Sequence, residues 1–269
     1  MKKILIFLIA IFTASLTNAA VYLRKETIPY TSKEDAYSQE RLKLDISYPA
    51  NTDLSLPVII WFHGGGLTGG EKFLPDELQE KGFVVIAPNY RLIPRVGVNE
   101  CIDDAAEAVA WAFANVESFG GDASKIFVSG HSAGGFLTSM VGLDKSRLEK
   151  YGIDADTIAG LFPYSGQVIT HFSDRSQKGI GELTPLIDAN APLFHVRSGT
   201  PPYIIITGDA ERELFGRYEE NLYMWRMMKL NGNKDVKIFK LDGFDHGEMA
   251  VPAHKILIEE ANRILQKNN

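Results

Sequence analysis

The stretch that decides the fold is Ile126-Phe127-Val128-Ser129, followed by Gly130-His131-Ser132-Ala133-Gly134. The first four residues are mostly apolar and indicate a buried strand, and the apolar pattern of residues 136–143 indicates a helix. Small residues on both sides of Ser132 suit a tight strand-to-helix turn, which strains the serine backbone and lifts its hydroxyl above the sheet. The stretch therefore predicts Ser132 as a nucleophile. A glycine-rich helix start that carries no chemistry is the alternative.

Apolar strands alternate with amphipathic helices along the rest of the chain. Strands are predicted at 57–62, 84–87, 126–129, 203–206 and 236–241, and helices at 99–117, 136–143, 217–230 and 253–265. This alternation predicts an α/β fold, with a mostly parallel sheet covered by helices on both faces. Residues 42–48 alternate apolar and polar side chains and predict an antiparallel edge strand. Residues 167–198 have the weakest pattern, and we expect a loop or small cap over the strand ends.

Composition narrows the classes of function. The chain has 269 residues, 45% of them hydrophobic and 23% charged, which is close to the globular average and excludes a disordered class. The formal net charge of −6 repels phosphate backbones, so a nucleic-acid partner is not expected. The single cysteine, Cys101, excludes a disulfide within the chain.

The first residues are typical of an export signal. Lys2 and Lys3 precede a mostly apolar stretch, residues 4–16, and Thr17-Asn18-Ala19 ends in a small residue. The apolar stretch is shorter than the ~20 residues that a membrane span needs. We expect a signal peptide at 1–19, a single domain at 20–269, and a periplasmic or secreted protein without stable membrane insertion after cleavage. An uncleaved anchor is the alternative.

Two further motifs follow predicted strands, where ligands of parallel sheets bind. His63-Gly64-Gly65-Gly66 follows strand 57–62, and its glycines let backbone N–H groups turn toward a reacting carbonyl. Together with the N–H of Ala133 they would form an oxyanion hole. After strand 203–206, either Asp209 or Glu211 is a candidate for the acid that orients a catalytic histidine.

His246 is the candidate base. It lies in Gly243-Phe244-Asp245-His246-Gly247, just after strand 236–241. Among the six histidines it alone follows a strand end beyond the acid, which gives the order serine, acid, histidine that is typical of α/β-hydrolases.

No metal or cofactor is expected. The sequence has no His-x-x-x-His helix, no cysteine pair and no phosphate loop. Asp103-Asp104 and Glu219-Glu220 fall on predicted helices, and we interpret them as solvated faces. Trp61, Phe73 and Phe172 are candidates to border an acyl or sugar site.

The combined motifs resemble a known family. The HGGG motif, Tyr90-Arg91-Leu92, Phe119-Gly120-Gly121-Asp122 and GHSAGG are similar to those of esterases related to hormone-sensitive lipase and of bacterial feruloyl-esterase-like and acetyl-esterase-like proteins. The resemblance runs from about residue 40 to the C-terminus and implies the α/β-hydrolase fold. Relatives place the acid three residues after a glycine that ends the strand. From Gly208 this position is Glu211, where the relatives usually have Asp.

Carried over to this sequence, the resemblance implies Ser132 as nucleophile, His246 as base and Glu211 as acid, with Asp209 as the fallback. It also implies oxyanion donors from Gly65, Gly66 and Ala133. The expected activity is hydrolysis of short-chain, aryl or acetyl esters, with carbohydrate-linked esters as one option. An amidase or peptidase on the same triad, a lipase, and a non-catalytic ligand-binding relative stay open as alternatives. The sequence says nothing about oligomeric state.

Overall fold

A computed structural model describes residues 21–267 of the chain. Its eight strands form one sheet in the order β1-β2-β4-β3-β5-β6-β7-β8. β1 pairs with β2, and β2 with β4, in antiparallel fashion; every later pair is parallel. The strands are β1 Tyr22–Pro29, β2 Lys43–Pro49, β3 Leu56–Phe62, β4 Val84–Pro88, β5 Gly121–His131, β6 Gly160–Tyr164, β7 Tyr203–Thr207 and β8 Val236–Lys240. The signal peptide expected at residues 1–19 lies outside the described residues.

Seven helices connect and cover the strands within residues 21–267. They are α1 Ala36–Arg41, α2 Val98–Asn115, α3 Ala133–Leu143, α4 Ser146–Glu149, α5 Phe172–Gln177, α6 Arg217–Leu230 and α7 Ala250–Lys267. None of these helices is both long enough and apolar enough to cross a membrane.

The sheet is covered on both faces, as the alternation predicts. One core cluster packs α2, α3 and α6 against one face, with Ile60, Val128 and Phe136 fully buried. A second cluster packs α7 against the other face, through Leu257 against strand residues such as Phe127. Because both faces are covered, the central strands are apolar along their whole length.

The prediction of an edge strand at residues 42–48 was wrong in one respect. β2 is antiparallel, but it lies between β1 and β4, and β1 is the edge strand. Asp45 of β2 is buried, and its charge is paired there: Lys72 Nζ lies 2.6 Å from it and the Thr27 N–H donates to it at 2.9 Å. β1 itself is mostly exposed and charged, so it shows no apolar alternation that would reveal it.

The sequence patterns also missed β6. Gly160–Tyr164 is buried throughout and lies between β5 and β7 in the middle of the sheet. Its five residues include a glycine and Pro163, which normally argue against a central strand. The segment expected to be a loop or small cap, 167–198, contains α5 and one 3₁₀ turn, Pro192–His195, and is otherwise irregular.

Asp104 corrects a second expectation. Its side chain is fully buried, whereas we expected a solvated helix face. Arg91 donates to it from the backbone N–H at 3.1 Å and from Nε and Nη2 at 2.8 Å. This ion pair ties α2 to the turn after β4. The neighbouring Asp103 is 38% exposed and pairs with Arg147 and Lys150, in closer agreement with the expectation.

Candidate active site

Ser132 lies in the turn between β5 and α3. Its backbone has φ 57° and ψ −114°, a left-handed conformation that a non-glycine residue rarely adopts and that is typical of functional turns. The Ser132 N–H donates to the Tyr164 carbonyl at 2.8 Å, and its carbonyl accepts from the Phe136 N–H at 3.0 Å. Neighbouring strands and the following helix thus hold the strained residue in place.

The glycines on either side of the serine are required by close packing. A Cβ atom on Gly134 would lie 2.0 Å from the Phe62 carbonyl oxygen, at the end of β3. A Cβ atom on Gly130 would lie 2.6 Å from the backbone of Gly134. Only glycine fits at these two positions, so the strand, the turn and the helix approach each other as the sequence motif predicts.

His246 reaches the serine from the loop after β8. Ser132 Oγ lies 2.9 Å from His246 Nε2, within hydrogen-bonding distance for transfer of the hydroxyl proton. The histidine loop is held by the Gly243 N–H, which donates to Asp209 Oδ2 at 2.8 Å. The structure therefore brings together Ser132 and His246, which the sequence singled out separately.

The acid beside His246 is Glu213, which the sequence analysis missed. His246 Nδ1 donates to Glu213 Oε2 at 2.6 Å. Glu211 points elsewhere: it is exposed, and among the described hydrogen bonds only its backbone N–H takes part, donating to Asp209 Oδ1 at 3.0 Å. Asp209 is used within the loop and does not contact His246. The expectation of Glu211, with Asp209 as fallback, is therefore corrected to Glu213.

A helical turn in the acid loop explains the correction. The N–H groups of Arg212 and Glu213 both donate to the Asp209 carbonyl, at 3.0 and 2.9 Å. The chain turns back after Asp209, which carries Glu213 over the strand ends and leaves Glu211 on the solvent side. The acid is therefore five residues beyond Gly208, where the family pattern counts three. The available clue in the sequence was Asp209 itself, because Asp often starts a turn by accepting from the N–H two residues later, as it does here from Glu211.

The carboxyl of Glu213 is built to stay ionised. Its side chain is fully buried, which opposes ionisation. Hydrogen bonds from His246 and Ser165, and from the Gly208 N–H at 2.9 Å, outweigh burial and lower the pKa of Glu213 to about 2. Such a carboxylate can orient the histidine and stabilise its protonated form.

The glycine loop after β3 borders the serine. A Cβ atom on Gly64 would lie 3.3 Å from Ser132 Cβ, so the loop and the turn are in contact. Gly65 and Gly66 have φ values of 114° and 64°, which favour glycine. Among the hydrogen bonds of residues 21–267, none uses the N–H of Gly65, Gly66 or Ala133. The N–H groups of all three predicted oxyanion donors are thus available to bind a substrate oxygen.

Comparison with solved structures identifies the architecture. The structure matches a truncated carbohydrate esterase from gut microbiota with a TM-score of 0.76 at 17% identity, covering 92% of this chain and 98% of that one. It matches esterase 2 of Thermogutta terrifontis with a TM-score of 0.69 at 24% identity, covering 91% and 95%. The chain has the α/β-hydrolase fold. The predicted fold class is confirmed.

Two sequence relatives of this chain are ester hydrolases by name, and a family model also matches it. The BD-FAE family model matches residues 44–162. Isoprenylcysteine alpha-carbonyl methylesterase ICME of Arabidopsis thaliana is 27% identical over 64% of this chain and 47% of its own length. The probable carboxylic ester hydrolase LipM of Mycobacterium tuberculosis is 30% identical over 61% and 44%. The chain spans about half the length of these relatives. Its predicted resemblance to esterases of the hormone-sensitive-lipase-like and feruloyl-esterase-like type is confirmed.

His131 is a second residue of this α/β-hydrolase that the sequence did not single out. Its Nε2–H donates to the His246 carbonyl at 2.6 Å, and the two rings lie 4.8 Å apart. Burial, together with the nearby His246, lowers the pKa of His131 to about 4, so the ring stays neutral at ordinary pH. The contact links the serine turn directly to the histidine loop.

A cavity of about 280 Å³ opens beside the serine turn and is lined by Gly64 and His131. Trp61 and Phe73, which the sequence proposed as borders of a substrate site, line it with ring centroids 6.2 Å apart. Phe172 lies elsewhere, against Gly66. A larger cavity of about 560 Å³, near Trp111, is lined by none of the residues around Ser132. The smaller cavity is therefore the better candidate for a substrate site, because it adjoins the serine turn.

Proposed function

We propose that this α/β-hydrolase is a serine carboxylic-ester hydrolase that acts through Ser132, His246 and Glu213. The observation that carries the proposal is the continuous chain of hydrogen bonds: Ser132 Oγ to His246 Nε2 at 2.9 Å, and His246 Nδ1 to Glu213 at 2.6 Å. This is the arrangement that activates a serine as a nucleophile. The names of the sequence relatives support ester hydrolysis.

The geometry supports ordinary acyl transfer. His246 Nε2 takes the Ser132 proton as the hydroxyl oxygen attacks the ester carbonyl. The N–H groups of Gly65, Gly66 and Ala133 bind the oxyanion that develops on the carbonyl oxygen. His246 then protonates the leaving alcohol, and water releases the acid from the acyl-enzyme by the same steps. No step requires a cofactor or a metal.

The proposed substrates are short-chain, acetyl or aryl esters, including those linked to carbohydrate. The cavity of about 280 Å³ beside the serine turn has room for a small acyl or aryl group, which favours short esters over long-chain lipids. One structural neighbour is described as a carbohydrate esterase, which supports a carbohydrate-linked ester. We propose that the protein meets such esters after export, because residues 1–19 have the composition of a signal peptide.

Hydrolysis of an N-acyl bond is a second candidate. The probable N-octanoylanthranilate hydrolase AqdA2 of Rhodococcus erythropolis is 28% identical over 61% of this chain and 42% of its own length. The same three residues perform both reactions in principle. Matched para-nitrophenyl esters and para-nitroanilides of one acyl group separate the two candidates by their kcat/KM ratio.

The decisive experiment compares para-nitrophenyl acetate hydrolysis by the wild-type protein and Ser132→Ala. We expect kcat to fall by at least about 10⁴-fold, because the nucleophile is lost. The matched control is Ser118→Ala, an exposed serine on the 3₁₀ turn after α2, which should stay within about twofold. Equal rates for wild type and Ser132→Ala, or no turnover by folded wild type, would contradict the proposal and favour a binding role.

A further inference from the structure

A second, smaller cavity adjoins the candidate active site. It measures about 170 Å³ and lies between α5 and the acid loop. Phe172, on its α5 side, lies against the glycine loop, because its ring is 3.0 Å from the position of a Cβ atom on Gly66. On the other side, Leu214 and Phe215 directly follow Glu213. A group bound there would lie next to the proposed oxyanion hole.

The cavity contains a buried arginine without an acidic partner. Arg175 is 2% exposed and forms no ion pair with any residue in the range 21–267. Nη1 of Arg175 donates to the Thr184 carbonyl, while Nε is buried and donates to nothing in the described part of the chain. Burying an unpaired charge is costly, and native structures normally provide it with a partner.

A neighbouring arginine in the same cavity shows the contrast. Arg217 is equally buried, but its Nε donates to Glu220 at 2.8 Å and its Nη1 to the Ser165 carbonyl. Glu220 also accepts from two backbone N–H groups at 3.2 Å and its side chain is only 10% exposed, so the expectation of a solvated helix face at Glu220 was wrong. The described residues thus provide Arg217 with a carboxylate partner, and they provide none for Arg175.

Within residues 21–267, the neighbouring titratable groups do not neutralise Arg175. Asp174 is turned toward Lys178, whose Nζ lies 2.8 Å away. His171 is neutral, because burial and the charges of Arg217 and Arg175 hold its pKa well below the usual range. Glu182 lines the cavity, but it is exposed and forms no hydrogen bond or ion pair with the described residues.

We propose that Arg175 binds a carboxylate carried by the substrate, so that the preferred esters of this enzyme are anionic. The inference rests on the proposed ester hydrolysis and adds a substrate class to it. The planar guanidinium offers parallel N–H donors that match the two oxygens of a carboxylate. Phe172 and Phe215 provide apolar walls for the few carbons that join this carboxylate to the reacting ester.

The test uses two pairs of esters, and in each pair a carboxylate is either free or masked as its methyl ester. The first pair is the mono-para-nitrophenyl ester of glutaric acid and its methyl ester, which place the charge on the acyl side. The second pair is meta-acetoxybenzoate and its methyl ester, which place the charge on the alcohol side. We expect kcat/KM to favour the charged member of one pair by at least about tenfold, as a charged hydrogen-bonded contact implies.

Substitutions then assign the preference to the cavity. Arg175→Met should reduce the charged-to-neutral ratio of kcat/KM to about one. Arg175→Lys should keep part of the preference, because lysine retains the positive charge but lacks the paired N–H donors of the guanidinium. Glu182→Gln should raise the ratio about two- to threefold by removing a competing carboxylate at the rim. Arg226→Met, at an exposed arginine of α6, is the control and should leave the ratio unchanged.

The outcomes separate the two proposals. Hydrolysis of neutral esters with no charge preference in either pair, or a preference that survives in Arg175→Met, overturns the role of Arg175 while ester hydrolysis stands. Hydrolysis of none of the esters by folded wild-type protein overturns both. Thermal unfolding of each variant verifies the fold; if Arg175→Met does not fold, the ratios of Arg175→Lys and Glu182→Gln decide.

Discussion

At the scale of single residues, the acid loop contains three carboxylates in very different surroundings. Glu213 is fully buried and bonded to His246, Ser165 and the Gly208 N–H. Asp209 accepts two backbone N–H groups of its own region, from Glu211 and Gly243. Glu211 is exposed. Of the three, only Glu213 contacts His246 and can stabilise a positive charge on that ring, as the proposed mechanism requires.

We therefore predict that Glu213→Gln lowers kcat for para-nitrophenyl acetate by about 10³–10⁴-fold, since the amide no longer stabilises the protonated histidine. Glu211→Gln is the matched control in the same loop and should stay within about twofold. Steady-state kinetics of the two variants measures the difference. A larger loss in Glu211→Gln than in Glu213→Gln would show that the loop rearranges in solution and that Glu211 is the acid.

At the scale of elements, a buried ion pair joins α2 to the turn after β4. Asp104 has no exposed surface and accepts three hydrogen bonds from Arg91, with Lys33 Nζ at 3.4 Å. The pair holds the turn that begins with Tyr90, whose ring stacks on His63 of the glycine loop at 4.4 Å. The position of α2 is thus linked to the glycine loop, which carries two of the proposed oxyanion donors.

Asp104→Asn should lower the free energy of unfolding by about 2–3 kcal/mol, because it removes the charged partner of the partly buried Arg91 guanidinium. Asp103→Asn, one residue earlier and 38% exposed, should cost at most about 1 kcal/mol. Urea unfolding of both variants at neutral pH tests the contrast. Similar losses in the two variants would mean that the Arg91 pair does not hold the turn.

At the scale of the whole molecule, buried histidines make the fold sensitive to acid. Burial, the leading cause in each case, lowers the pKa values of His63, His131 and His254 from 6.5 to about 4, and holds that of His171 well below the usual range. Between about pH 4 and pH 6.5, these histidines are protonated in the unfolded chain but neutral in the native protein. The free energy of unfolding therefore falls as pH drops from about 6.5 toward 4.

A single substitution measures this contribution. His254 packs against Trp61 with ring centroids 4.8 Å apart, and His254→Phe keeps an aromatic ring there while removing the titrating group. Between about pH 7 and pH 5 the wild-type protein should lose about 2 kcal/mol more of its free energy of unfolding than His254→Phe does. Urea unfolding at both pH values provides the comparison. The same pH dependence in both proteins would show that the pKa of His254 is the same in the native and the unfolded protein.

The local patterns of the sequence determined the covered sheet, because buried central strands must be apolar and the helices beside them must carry one apolar face. They also determined Ser132, since a strained turn between strand and helix requires small residues in fixed positions. The prediction of His246 as the base followed from the order of serine, acid and histidine along the chain.

Only the tertiary structure decided which residues meet. Neighbouring strands hold the exposed edge strand β1 and the short strand β6 in the sheet. Neither strand has a local pattern of apolar residues that would predict it. The acid could not be counted along the chain, because the helical turn from Asp209 carries Glu213 inward and Glu211 outward. The missing partner of Arg175 likewise emerges only when α5 packs over the glycine loop. Burial and pairing depend on contacts between distant segments, which no local spacing records.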